Sequence, residues 1–441
     1  MSLDETKPNE VSVETGAIWE DLLTFLEHKG FGVFAYTEVG NVTIGGTISV
    51  GAHGTELELS PDHPQQFRDG SISNLVKTLD AVVWDSQKNG FVLKTFTRED
   101  SDSAAFLVSL GRAFITRVNL LIGPNYNLRC RSETKIPASV VYGADSSNKH
   151  SMATLVRKYG RVDAQLYPYT DHTMIRIWTE VKVKPGTSRR ISSPYPFTHS
   201  DPASKTFDQV QQNKSLATPS LTPDLQRTKY LRDVATLTHT NTRDIWGPSK
   251  NLLLYYSSLS QKWNSFGHVV LTTRQNIQRV VHQMYSGFKN MTTTFANDRG
   301  QYPMNQAVQV RVTGLDNSST NPAALGSLSP VHNHPEYDVA VSFGLHCYAE
   351  TPEFGLFLYS WESFLFQHFN GEYATARVEW AKSWGFDPQG RPWNNEELYG
   401  KRIPSTFSFD RWNWAVAKLD EYDPHRIFTN EFLDHLLKPV A

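Results

Sequence analysis

The spacing of apolar residues changes along this chain, and that change limits the folds open to it more than any single motif does. Ile18, Leu22, Phe25 and Leu26 recur at the interval of one helical face, with Gly30 where such a helix would end. From Phe31 to Val50 the interval shortens among glycines, and Phe31, Val33, Tyr36, Val42, Ile44 and Ile48 read as strand and turn. Asp80 to Phe96 alternates as a β-hairpin about the polar turn Ser86 to Gly90. Ser101 or Asp102 then caps a short helix from Ala104 to Arg112, ahead of an apolar strand from Phe114 to Ile122. Gly160 to Val183 reads as extended, turning at Pro168. Thr273 caps a helix bearing Ile277, Val280, Val281 and Met284, before the strand Val308 to Val312. Phe409, Trp412, Val416 and Leu419 form a last helix face that Pro424 stops. Helices and strands are mixed without an internal repeat, which predicts an α+β fold. Pro185 to Leu221 keeps neither interval and reads as a long loop, either a lid or a plain surface excursion.

Composition narrows the function classes. A formal charge of -2 over 441 residues argues against a nucleic-acid or membrane-surface partner. No apolar run approaches the roughly 18 residues of a spanning helix. Met1 to Glu10 lacks the basic and apolar regions of a signal peptide, so the chain as it stands is expected in the cytoplasm. Cys130 and Cys347 are too few for a disulfide framework, although one bridge between them stays open. Eleven Trp and 24 Phe suit either a large core or a flat apolar ligand, and core is the default for the Trp380, Trp384, Trp393, Trp412 and Trp414 group. His332 and His334, near Glu336 and Asp338, have the residue types of a metal site but read as a solvated loop, so no metal is expected.

The glycine run from Thr43 to Gly54 is the first candidate for chemistry, because glycines let backbone amides approach a phosphate closely. Such runs are more often plain turns, and this one is neither GxGxxG nor a P-loop. Asp69 to Val76 and Val108 to Val118 follow it. In that order the three stretches resemble the second half of the FAD-binding domain in the vanillyl-alcohol-oxidase flavoprotein family. Asn125 to Cys130, Tyr167 to Asp171, Val310 to Asp316, Arg377 to Trp380 and Tyr422 to Asn430 are similar to stretches of the covalent-flavin (type II) cholesterol oxidases. The resemblance implies half of an FAD domain over residues 1–135, a substrate domain with an antiparallel sheet flanked by helices over 136–405, and a helical segment over 406–441 that packs back near the FAD domain. It also implies FAD contacts at Gly45, Gly46, Gly51, His53, Gly54, Ile115 and Asn430.

Two departures qualify the resemblance. The family opens with a further lobe carrying a phosphate loop and the histidine bonded to flavin. The resemblance here begins after it, so no residue, His53 included, takes that bond, and a separate FAD-binding lobe becomes an expected partner. The second departure is on the strand Val308 to Val312, where Gln309 and Arg311 share a face. The family pair resembles Glu-x-Arg, and a neutral amide cannot take a hydroxyl proton as a carboxylate can. By resemblance Asp163 is the carboxylate partner of Arg311. The activity implied is FAD-dependent oxidation of a secondary alcohol, a sterol 3-hydroxyl, by oxygen, giving ketone and hydrogen peroxide. The alternatives are an alditol or aldonolactone oxidase, or a lipid-binding relic without catalysis.

Overall fold

The computed structural model describes the chain except residues 4–5, 60–68, 196–201, 255–262 and 441, and the side chains of 202–205. Two antiparallel systems organise it. The smaller is a five-stranded sheet in the spatial order Ser2–Leu3, Glu10–Glu14, Phe114–Leu121, Val76–Asp85, Gly90–Thr97. The predicted hairpin is the pair Val76–Asp85 and Gly90–Thr97. The helix Trp19–His28 has Glu20 and Asp21 in its first turn and His28 in its last, signs that suit the helix dipole, and buries Trp19, Leu22, Leu23 and Leu26.

The larger sheet has ten strands, and its centre runs Asn127–Glu133, Thr173–Glu180, Arg161–Leu166, Val308–Gly314, Val339–Tyr348, His268–Thr272, Ala374–Val378. Val308–Gly314 and Val339–Tyr348 are buried along their whole lengths, so they carry no polar-out alternation. Val308, Val310 and Val312 join the main core. Gln309 and Arg311, on the opposite face, meet Gly344 and Ser342 across one neighbouring strand and Gln165 and Asp163 across the other. The helix Ile277–Arg299 packs its Val280, Val281, Met284 and Phe288 into the core. The C-terminal helix Phe409–Tyr422 returns to the smaller sheet, where Arg112 donates to Asp423 Oδ2 at 2.6 Å and to Asp420 Oδ1 at 2.9 Å.

Three sequence expectations are corrected. Most of Phe31 to Val50 is not strand: only Phe31–Gly32 pairs, and Ile44–Ser49 is a short helix. Thr43 caps that helix by accepting from the Gly46 amide at 3.2 Å, an interaction that outweighs the turn preference of two glycines. Pro185 to Leu221 is not one loop, because Pro202–Ala217 is a helix, followed by a second at Thr222–His239. Asp102 does precede the helix Ser103–Leu107 but does not cap it with its side chain, which binds Tyr422 Oη at 2.8 Å instead. Cys130 and Cys347 are both free and buried. Among the described residues no helix is long and apolar enough to cross a membrane.

Candidate active site

A cleft of about 500 Å³ opens where the short helix Ile44–Ser49 and the loop before it face the large sheet. Thr37, Glu38, Thr43, Gly46, Gly51 and His53 line one wall, and Arg311, Ser327, Glu379, Trp380 and Lys382 the other. Gly51 has φ of 60°, a left-handed backbone that favours glycine, and turns the chain from the helix toward His53.

Ionic side chains converge in this cleft. Arg311 Nη1 donates to Glu38 Oε1 at 2.7 Å. His53 Nε2 lies 3.0 Å from Glu379 Oε1, and its Nδ1 lies 3.1 Å from the Gly54 carbonyl. Both of those partners are acceptors, so the two ring nitrogens donate at once only when the imidazole carries two protons, and a neutral ring donates to one of them alone. Ser342 Oγ also donates to Glu379 Oε1, at 3.1 Å. Burial opposes ionisation of Glu379, yet the His53 hydrogen bond and the charges of Lys382, His53 and Arg311 hold its carboxyl well below the ordinary range. Its Oε2 is buried without a hydrogen-bond partner among the described residues. Burial pulls the Lys382 ammonium below its ordinary value, against the pull of Glu379 and with that of Arg311. Lys382 Nζ donates to Ser265 Oγ at 3.1 Å.

Beside the cleft lies a second cavity of about 690 Å³, walled by Trp263, Trp380, Trp384, Trp393, Phe432 and Leu110. Val50, Ser265, Trp380, Ala381 and Lys382 line both spaces. Three tryptophans of the group assigned to packing thus face a cavity, whereas Trp412 is core and donates to the Lys438 carbonyl at 2.9 Å.

Of the residues singled out in the sequence, Gly46, Gly51, His53 and Arg311 meet at the cleft. Gln309 is buried two residues before Arg311 on the same strand face, beside Gln165. Asp163 stands opposite Arg311 but forms a hydrogen-bonded ion pair with Arg176, and both are fully buried. Gly45 packs against Thr15, Gly54 lies under the Tyr36 carbonyl, Ile115 sits in the small sheet, and Asn430 caps the helix Glu431–Leu436 by accepting from Leu433 N at 2.9 Å. His334 makes local contacts, pairing with Glu336 and stacking on Tyr337. Sequence reasoning missed Glu38, Lys382 and the role of Glu379. Glu379 was visible in the Arg377 to Trp380 motif, and Lys382 follows it three residues on, but no local pattern marked Glu38.

The cleft's donors fit the ring end of a flavin. Apolar walls from Val39, Val42, Val50 and Trp380 would hold a flat ring, and Arg311 and Lys382 supply cations for negative charge at its polar edge. The glycine run does not offer a phosphate cradle in the same way. The amides of Gly45, Gly46, Gly51 and Ala52 donate to Thr15 O, Thr43 Oγ1, Ile48 O and Thr47 O.

Fold and cleft together define a mixed α/β protein with a polar, cation-rich cleft joined to an aromatic cavity over a large antiparallel sheet. Residues 127–438 match the family described as cholesterol oxidase, substrate-binding, and the chain belongs to that family. It is similar in structure to a solvent-stable cholesterol oxidase, with a TM-score of 0.93 and 34% identity over 99% of this chain and 84% of that one. It is also similar to the cholesterol oxidase from Brevibacterium sterolicum, with a TM-score of 0.91 and 29% identity over 99% of this chain and 83% of that one. A point mutant of the Brevibacterium sterolicum enzyme gives a TM-score of 0.89 and 30% identity over 97% of this chain and 81% of that one. A comparison with curated proteins finds no match.

Proposed function

We propose that the chain is the sterol-binding and flavin-facing part of an FAD-dependent oxidase that converts a sterol's secondary alcohol to a ketone and reduces oxygen to hydrogen peroxide. The observation that carries this reading is the aromatic cavity running into the cationic cleft through Ser265, Trp380 and Lys382. An apolar ring system suits the first space and an electron-accepting ring the second. FAD, when bound, would supply the hydride acceptor. Arg311 and Lys382 would stabilise negative charge at the cleft, and Trp380 and Val50 would exclude water. The division into a partial FAD domain, a substrate domain and a C-terminal segment from 406 is part of the proposal, with its first boundary moved from 135 to just before Asn127, because the strand Asn127–Glu133 lies in the large sheet. A second reading, sterol binding without turnover, is favoured by one observation: the residue two before Arg311 on its strand face is the neutral Gln309.

Because the amides of Gly45, Gly46, Gly51 and Ala52 are already engaged, we assign this chain's own contribution to the ring rather than to the pyrophosphate. Titration followed by flavin fluorescence should therefore find FAD and riboflavin bound with similar affinity. Arg311→Ala and Lys382→Met should each weaken both by roughly tenfold, the scale of a charge-assisted contact. Binding of FAD far tighter than riboflavin would assign the phosphate contacts to this chain, and binding of neither would remove the flavin from the cleft.

A further inference from the structure

The face of the large sheet that carries Gln309 and Arg311 also carries His346, whose ring has one nitrogen fixed. His346 Nδ1 lies 3.2 Å from the Ala307 carbonyl, an acceptor, so Nδ1 bears the proton. Nε2 is then left as an acceptor. Burial pushes the imidazole down to about 3, helped by the Lys382 charge, so the ring is neutral and the lone pair is kept. His346 is buried, with 7% of its surface exposed.

The neighbours of His346 tie it to the site. Its strand partner is Ser265, which lines both the cleft and the aromatic cavity and accepts from Lys382. The Trp263 ring of the aromatic cavity lies 6.0 Å away. Between His346 and Gln309 on the same strand face stands Gly344. A Cβ on Gly344 would lie 3.5 Å from His346 Cε1 and 3.9 Å from Gln309 Cβ. Those are ordinary contact distances, so the glycine leaves a gap of about one methyl group between the imidazole and the glutamine.

We propose that His346 is the hydroxyl-recognition residue of the substrate site: the alcohol of the bound sterol lodges over Gly344 and donates its hydrogen bond to His346 Nε2. The assignment rests on the sterol reading above and deepens it. A ketone has no proton to give, so the same Nε2 favours substrate over product at the site, and a buried acceptor left unmatched penalises a ligand that lacks the donor. Arg311 and Lys382 cannot fill this role, since both are donors only.

The test uses the full chain and two soluble steroids identical except that one carries a hydroxyl where the other carries a ketone. Binding is read by calorimetry. Wild type should prefer the hydroxysteroid by roughly tenfold, the worth of one hydrogen bond to a buried acceptor. His346→Phe should bind both equally, and His346→Gln, which keeps an acceptor, should retain part of the preference. Gly344→Ala fits without clash, so its unfolding temperature should match wild type while its affinity for both steroids drops. Equal binding of the two by wild type, or an undiminished preference in His346→Phe, overturns the assignment and leaves the sterol reading standing. If wild type binds neither steroid, the sterol reading falls and takes the assignment with it.

Discussion

Asp163 and Arg176 stand opposite one another on adjacent strands, both fully buried and hydrogen-bonded as an ion pair. On the next strand Arg311 stands opposite Asp163, and its guanidinium reaches Glu38, 273 positions earlier in the chain. The period of a strand made the shared face of Gln309 and Arg311 legible. Which carboxylate meets which arginine was not, because that depends on strand neighbours and on a loop from another part of the chain. A distinct outcome follows for each pairing. If Asp163 chiefly compensates Arg176, then Asp163→Asn removes one partner of a buried ion pair and should cost about 3–5 kcal/mol in urea unfolding. Replacing both, with Asp163→Asn and Arg176→Met, should recover most of that loss. An Asp163→Asn variant of unchanged stability would return Asp163 to Arg311 as its working partner.

The helices Pro202–Ala217 and Thr222–His239 escaped a search for apolar periodicity for a physical reason. Thr222, Gln226, Lys229, Asp233 and Leu237 are buried at helical spacing, but four of the five are polar. The seam is held by specific pairs instead. Lys229 Nζ lies 3.2 Å from Asp208 Oδ1 and 3.0 Å from Gln306 Oε1. Gln226 donates to the Asn305 carbonyl at 2.7 Å, and Tyr167 Oη to Asp233 at 2.8 Å. Trp19–His28 and Phe409–Tyr422, by contrast, bury apolar faces and were readable. A polar seam fails abruptly when one charge is removed. Lys229→Met should raise amide hydrogen exchange across the described part of the helix pair by an order of magnitude or more, since a lost buried ion-pair partner is worth about 3–5 kcal/mol. The strand Val308–Gly314 should keep its protection. Exchange that rises equally in both places would mean that the seam is part of one cooperative core.

At the scale of the molecule, the α+β class was legible because strands and helices announce themselves by period, whereas the antiparallel substrate sheet came only with the resemblance to the cholesterol oxidases. The sequence did not carry the cleft. Glu38, His53, Arg311, Glu379 and Lys382 come from four separate stretches of chain, and only the fold brings them to one space. The aromatic cavity was hidden for a related reason: Trp380, Trp384 and Trp393 have the composition of a core, and only their placement opens a space between them. The central claim is that this cleft, once it holds flavin, oxidises a sterol's hydroxyl. Hydrogen peroxide release from the FAD-loaded protein, with cholesterol and an alditol offered in parallel, tests it most directly. The account predicts peroxide from cholesterol alone and none from Arg311→Ala. Peroxide from the alditol alone, or none from either substrate with flavin bound, would contradict it.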